Sequence, residues 1–223
     1  LQTYTRALEC HELALSAAST LSRVSLLAEI QINIVADAFR LRDFARANSA
    51  LAAAQVALQT YDRPDWVAEV AFYRGLICFE QNQFADAQEH LSQAYSIFRK
   101  DRNPWGESHV LLALGRTFLK LQELEHAEDC LSAACELSEK HQLIALGIEA
   151  HEMVAFLYLE EGQYLKALQY HQRLHQLMLK NEPEPSVGLR LSRQAKARLQ
   201  HIEGELDLAK IAARMQRSMV LWE

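Results

Sequence analysis

The sequence predicts an all-α repeat protein, a right-handed solenoid of antiparallel helix pairs with a long helix at its C-terminal end. Two observations carry this. Turn formers are scarce, with seven glycines and four prolines in 223 residues, while half the chain is hydrophobic. Strong helix formers where turn residues would otherwise stand argue for helix almost throughout. Second, five alanines recur at one interval: Ala7, Ala47, Ala87, Ala127 and Ala167, each 40 residues after the last. Self-similarity at a fixed period is the signature of stacked supersecondary units.

Several independent columns keep the same phase. Three residues before each alanine stands a large apolar side chain: Tyr4, Phe44, Phe84, Leu124 and Tyr164. Seven residues after it comes Ala14, Ala54, Ala94, Ala134 or Leu174. Twelve residues before it lie Val35, Gly75, Gly115 and Ala155, and Pro64 and Pro104 are also 40 apart. Each unit then reads as two helices. Small residues at Gly75, Gly115 and Ala155 let the first helix approach the second. The periodic alanines belong where helices cross, and a bulky side chain there overpacks the contact at a cost of roughly 1–3 kcal/mol. A unit of this kind buries its apolar face only against its neighbours.

These residues resemble the tetratricopeptide repeat. Gly75-Leu-Ile-Cys-Phe with Phe84-Ala-Asp-Ala87 is one instance, and Gly115-Arg-Thr-Phe with Leu124-Glu-His-Ala127 a second. Ala155-Phe-Leu-Tyr with Gly162-Gln-Tyr164-Leu-Lys-Ala167 is a third, departing from the pattern at Leu174. The usual unit has about 34 residues; the 40-residue spacing resembles a longer variety common in bacterial regulators, as does Trp105-Gly-Glu-Ser opening a first helix. The resemblance implies a tetratricopeptide-type α-α superhelix over residues 1–181, a second helix of a truncated repeat followed by four full repeats. It implies nothing specific about ligand.

The phase places the truncated unit's helix at 2–19. Paired helices follow near 22–40 and 43–60, 66–80 and 83–99, 106–120 and 124–139, and 143–160 and 163–180. The connections, Tyr61–Asp65, Lys100–Pro104 and His141–Gln142, have the short lengths usual between packed helices. Leu1 already lies inside a helical pattern, which leads us to expect a piece of a longer protein.

Residues 182–223 break the repeat. Position 207 holds Asp207 where the next alanine is due, after the Pro-dense Asn181-Glu-Pro-Glu-Pro. From 187 onward the chain reads as one long helix. Ala195, Leu199, Ile202, Leu206, Ala209 and Ala213 alternate in steps of four and three, an a/d seam. Leu208, Ile211, Met215, Met219 and Trp222 form a second stripe. Three arrangements fit: a cap on the last repeat, a dimerisation helix, or a signalling helix ordered by a downstream domain. The stretch from Tyr170-His-Gln-Arg-Leu-His-Gln-Leu-Met-Leu-Lys-Asn-Glu onward resembles the junction in bacterial proteins where such an array precedes a coiled linker and a GGDEF diguanylate cyclase. No cyclase motif is present in the chain.

Charge and chemistry exclude more than they select. Net charge is −6; residues 187–223 carry +3 and the remainder −9. An acidic array does not suit nucleic acid as a default partner. Cys10, Cys78, Cys130 and Cys135 show no CxxC spacing and read as structural thiols of a reducing cytosol, so a cytoplasmic location is expected. No signal peptide or membrane-length apolar run is apparent. His171 and His175 share a helix face, but His171 stands in the column of His11, Leu51, Leu91 and Leu131, a packing column. A zinc site needs further ligands in fixed geometry. We expect no metal, no cofactor and no catalytic residue in this chain: no phosphate loop, GxSxG elbow or HExxH occurs.

Binding is expected on the concave face. By the resemblance, groove-facing positions fall at Glu29, Asn33 and Arg40, then Glu69, Tyr73, Leu76 and Glu80, then His109, Arg116 and Lys120, then Glu149, Glu152 and Phe156. The third unit supplies a basic patch between acidic walls. These positions suit either a peptide or protein ligand or ordinary solvation. The functional expectation is a non-catalytic regulatory module of a bacterial signalling protein, binding a peptide in the groove and controlling or dimerising an output domain. A constitutive assembly scaffold and a peptide-pheromone receptor of the 40-residue-repeat type are the alternatives.

Overall fold

The computed structural model describes residues 2–20, 24–59 and 63–180, together with 201 and 204. Among the described residues there are nine helices and no strand. They are α1 (Gln2–Thr20), α2 (Val24–Arg40), α3 (Phe44–Leu58), α4 (Pro64–Glu80), α5 (Phe84–Lys100), α6 (Pro104–Leu121), α7 (Leu124–Lys140), α8 (Ile144–Glu160) and α9 (Tyr164–Lys180). Of the expected tail helix only His201 and Gly204 are described; its seam of Ala195, Leu199, Ile202 and Leu206 and its stripe of Leu208, Ile211, Met215 and Met219 lie outside the described residues.

Two helix starts differ from the sequence reading. Pro64 and Pro104 are the first residues of α4 and α6 rather than parts of the connections Tyr61–Asp65 and Lys100–Pro104. Proline suits this position because the N–H it lacks would have no intrahelical partner there, and its φ is already helical. Asn103 caps α6 by accepting from Gly106 N at 3.0 Å, and Asp43 caps α3 by accepting from Arg46 N at 3.1 Å.

The turns share one device. Arg42, Asn82, Arg102, Gln122, Gln142 and Gly162 all have positive φ, between 53° and 70°. In each case the next residue's N–H returns to a carbonyl of the preceding helix: Asp43 to Ala38, Gln83 to Cys78, Asn103 to Phe98, Glu123 to Phe118, Leu143 to Ser138 and Gln163 to Tyr158, all at 2.8–3.0 Å. A left-handed residue just past the helix end satisfies carbonyls that helix termination leaves unpaired. Tight reversals of this kind make successive helices antiparallel.

The chain divides into two compact units, Leu1–Ala127 and Glu128–Glu223, the boundary falling within α7. In the first, α2 packs on α3, α4 on α5 and α5 on α6, while α2 and α4, and α4 and α6, lie side by side. Its core gathers Ile30, Ile34, Val35, Leu51, Trp66 and Ile77, with Ala47 and Ala54 fully buried between helices. In the second, α8 packs on α9, with Ala150, Val154, Ala155, Ala167 and Leu174 fully buried.

The periodic columns occupy the packed positions. Ala47, Ala87, Ala127 and Ala167 have no exposed surface, and Gly75, Gly115 and Ala155 are buried. Ala7 is only half-buried. A Cβ on Gly75 would meet Leu91 Cγ at 2.6 Å, the physical reason for glycine at that crossing.

Candidate functional site

In the first unit, α2, α4 and α6 run the same way, because two reversals separate each from the next. Positions 29, 69 and 109 stand one period apart near the helix starts, and 40, 80 and 120 near the ends. Glu29, Asn33, Arg40, Arg116 and Lys120 are exposed, while Glu69, Tyr73, Glu80 and His109 are half-buried.

An aromatic strip crosses the three helices. Phe39 lies 6.3 Å from Tyr73, Tyr73 lies 5.4 Å from Phe72, Phe72 lies 6.2 Å from His109, and His109 lies 4.2 Å from Trp105 between ring centroids. Trp105 remains 54% exposed, so the strip offers open apolar surface. Tilted and edge-on arrangements are the favoured ones for such rings.

Charge is divided along the helix axes. Near the helix starts, burial pushes the Glu69 carboxyl above its ordinary 4.5, and Asp65 and Glu29 push it further. Arg63 works against that shift; it holds Asp65 through bonds of 3.0 and 2.7 Å and lies 3.9 Å from the Trp66 ring centre. Near the helix ends the balance reverses. Arg40, Arg116 and Lys120 stand there, and Glu80 is paired with Arg42 at 2.9 Å. Arg40 donates to the Tyr4 hydroxyl at 3.0 Å, its guanidinium 5.1 Å from that ring's centre. His109 is held below its usual 6.5 by burial first and then by Arg40 and Arg116. The sequence reading gave the positive patch to the third unit alone. The structure adds Arg40 from α2, because the side-by-side helices bring its field onto His109.

In the second unit, Glu149 and Glu152 are half-buried on α8 and Phe156 is 59% exposed.

Three polar arrangements escaped the sequence reading. His11 Nδ1 lies 2.8 Å from Asp37 Oδ2, joining α1 to α2 over a carboxylate that is 11% exposed. The Tyr158 hydroxyl donates to Glu128, with Lys166 Nζ 3.7 Å from that carboxylate. Glu139 on α7 accepts from Arg173 Nε and Nη2 at 2.8 and 2.7 Å and faces Nε2 of buried His151 at 3.1 Å. A signal for the first existed. His11 interrupts the column of Leu51, Leu91 and Leu131, and Asp37 the column of Ile77, Thr117 and Leu157.

Burial pushes the Cys130 and Cys135 thiols up to about 11 and about 12, with neighbouring carboxylates adding to it. Among the described residues no group of three or more His, Cys, Asp or Glu is placed to hold a metal ion, and no helix is long and apolar enough to cross a membrane.

The fold belongs to the all-α helical-repeat class, of tetratricopeptide type. Residues 66–140 match the family profile of the tetratricopeptide repeat. Among curated proteins, the chain is 30% identical over 128 residues to anaphase-promoting complex subunit CDC16 of Saccharomyces cerevisiae, covering 52% of this chain and 14% of that protein. The chain therefore spans about a seventh of that relative's length. Among solved structures it is similar to BtubC from P. vanneervenii, with TM-score 0.69, 17% identity and coverage of 97% of this chain and 92% of the other. The apo form of RapI gives 0.64, 18%, 80% and 66%. A Rap protein complexed with Competence and Sporulation Factor gives 0.61, 19%, 88% and 55%. At these identities the likeness is one of fold, and function has to be argued from the site.

Proposed function

We propose that this chain is a non-catalytic binding module whose ligand is a short extended peptide lying over α2, α4 and α6. The observation that carries the reading is the division of charge about the aromatic strip. Glu29, Asp65 and Glu69 would receive a cation, Arg40, Arg116 and Lys120 a carboxylate, and Tyr73, Phe72 and Trp105 the apolar side chains between. Seven to eleven residues of helix separate the two ends, about 10–16 Å. An extended peptide covers that distance in about three to five residues.

The test is affinity for short synthetic peptides carrying a lysine, an apolar middle and a free C-terminal carboxylate, against amidated and charge-reversed versions. Glu69→Gln and Arg116→Gln should each weaken binding about 10–100-fold, the range for losing a hydrogen bond to a charged group. Equal binding of all peptides would sink the reading.

We further read the module as part of a bacterial signalling protein in the cytoplasm. Ligand binding would bias an output domain such as a diguanylate cyclase. Residues 195–219 would pair with a second copy. Such control requires different ligand affinities in two states. Molar mass by light scattering, for this chain and for one ending at Asn181, tests the pairing: monomers in both exclude it. The peptide-pheromone receptor shares the same groove and differs only in its output. A constitutive scaffold predicts a ligand that changes no downstream activity.

A further inference from the structure

In the second unit a cavity of about 380 Å³ opens among the C-terminal end of α7, the first turn of α8 and the C-terminal half of α9. One column of the repeat borders it. Positions 58, 98, 138 and 178 hold Leu58, Phe98, Ser138 and Met178. In the first unit Phe98 is 3% exposed, and its ring covers Gly106 so closely that a Cβ there would meet it at 2.6 Å. Ser138 is 2% exposed, and the position matching Gly106 is the buried Leu146. The Ser138 hydroxyl turns back to donate to Cys135 O at 2.9 Å. The apolar wall of the cavity is Leu143, Ile144 and Leu177.

The polar wall is an ion pair with one guanidinium nitrogen to spare. Glu139 and Arg173 line the cavity, and Arg173 spends Nε and Nη2 on Glu139, leaving Nη1. Behind Glu139 stands His151, 3% exposed. Its Nδ1 lies 2.7 Å from Gly147 O and its Nε2 3.1 Å from Glu139 Oε1.

We propose that this cavity is a second binding site, for a small amphipathic anion with an aryl or branched-alkyl body and a carboxylate. The body lies against Leu143, Ile144 and Leu177, and the carboxylate meets Arg173. Its volume sits at the lower end of the roughly 300–1,000 Å³ typical of small-molecule sites. This site is separate from the peptide groove and does not depend on it.

The experiment uses the whole chain with methyl-labelled Leu and Ile, titrated with phenylacetate and with uncharged benzyl alcohol. Phenylacetate should shift the methyls of Leu143, Ile144 and Leu177 in a saturable way and bind at least tenfold tighter than benzyl alcohol. Arg173→Gln should remove that preference, and Ser138→Phe, which puts a ring at the cavity wall, should abolish both shifts. Circular dichroism melting reports folding. If Ser138→Phe does not fold, Ser138→Met, the residue type of Met178, replaces it and must block the same shifts. Absent methyl shifts, equal affinity for both probes, or undiminished binding in the folded Ser138 variant would overturn the proposal.

Discussion

Leu91 lies so close to Gly75 that a Cβ on the glycine would stand 2.6 Å from Leu91 Cγ and 3.2 Å from Ala87 O. The first contact is at the branch point rather than at a methyl tip, so Leu91 must move as a whole. The second is backbone of the same α5 helix. Gly75→Ala should therefore cost about 1–3 kcal/mol in overpacking, less about 1 kcal/mol gained in helix propensity. We expect a lower urea midpoint with unchanged slope. A higher midpoint would mean that α4 and α5 separate easily.

The left-handed turn residues make an opposite prediction. Gln122 has φ 62° with a side chain attached, whereas Gly162 occupies the matching turn one period later. The left-handed region costs a non-glycine residue roughly 1–2 kcal/mol. Glycine gives part of that back through its freer unfolded chain, about 0.4–1 kcal/mol. Gln122→Gly should raise stability by about 0.5–1 kcal/mol, and Gly162→Ala should lower it by a similar amount. Paired thermal melts of the two variants check both signs.

Cys130 and Cys135, with thiols pushed up to about 11 and about 12, stay protonated at neutral pH and are partly or wholly buried. The thiolate is the reactive form. Cys10 is exposed. Iodoacetamide on the native chain at pH 7.5 should label Cys10 long before Cys130 or Cys135, as read by peptide mass mapping, with all labelled in urea. Early labelling of Cys135 would contradict the packing of α7.

What was legible in the sequence was whatever repeats. A column of alanines or glycines at one period marks places where helices touch, and Ala47, Ala87, Ala127 and Ala167 have no exposed surface. Pairings between helices were not legible, because periodicity says which face is buried and not which polar atom meets which. His151 and Glu139 stand 12 residues apart, and Arg173 stands 34 beyond Glu139; only the turn at 141–143 and the packing of α8 and α9 bring them together. The division of charge over α2, α4 and α6 has the same origin. The repeat phase put Arg40, Glu69 and His109 on one expected face, but not which of them stand close enough to shift one another's charge.

That same Glu139 cluster sets a pH dependence. The two bonds from Arg173 hold the Glu139 carboxyl below its ordinary 4.5, and the charge of His151 adds to this. The unfolded chain, with the ordinary value, takes up the proton more readily than the folded one. The cluster's contribution is therefore fully present above about pH 4.5 and is lost as pH falls through the lower folded value. Because Arg173 is 53% exposed, solvent screening keeps the ion-pair part to about 1 kcal/mol or less. Glu139→Gln removes the carboxylate from buried His151 as well, leaving Nε2 with a weaker acceptor. The variant should be less stable than the parent at pH 7, and the two should converge as pH drops toward 3. Urea midpoints measured at pH 7, 5, 4 and 3.5 decide it; a constant difference across that range would mean that the cluster does not titrate with folding.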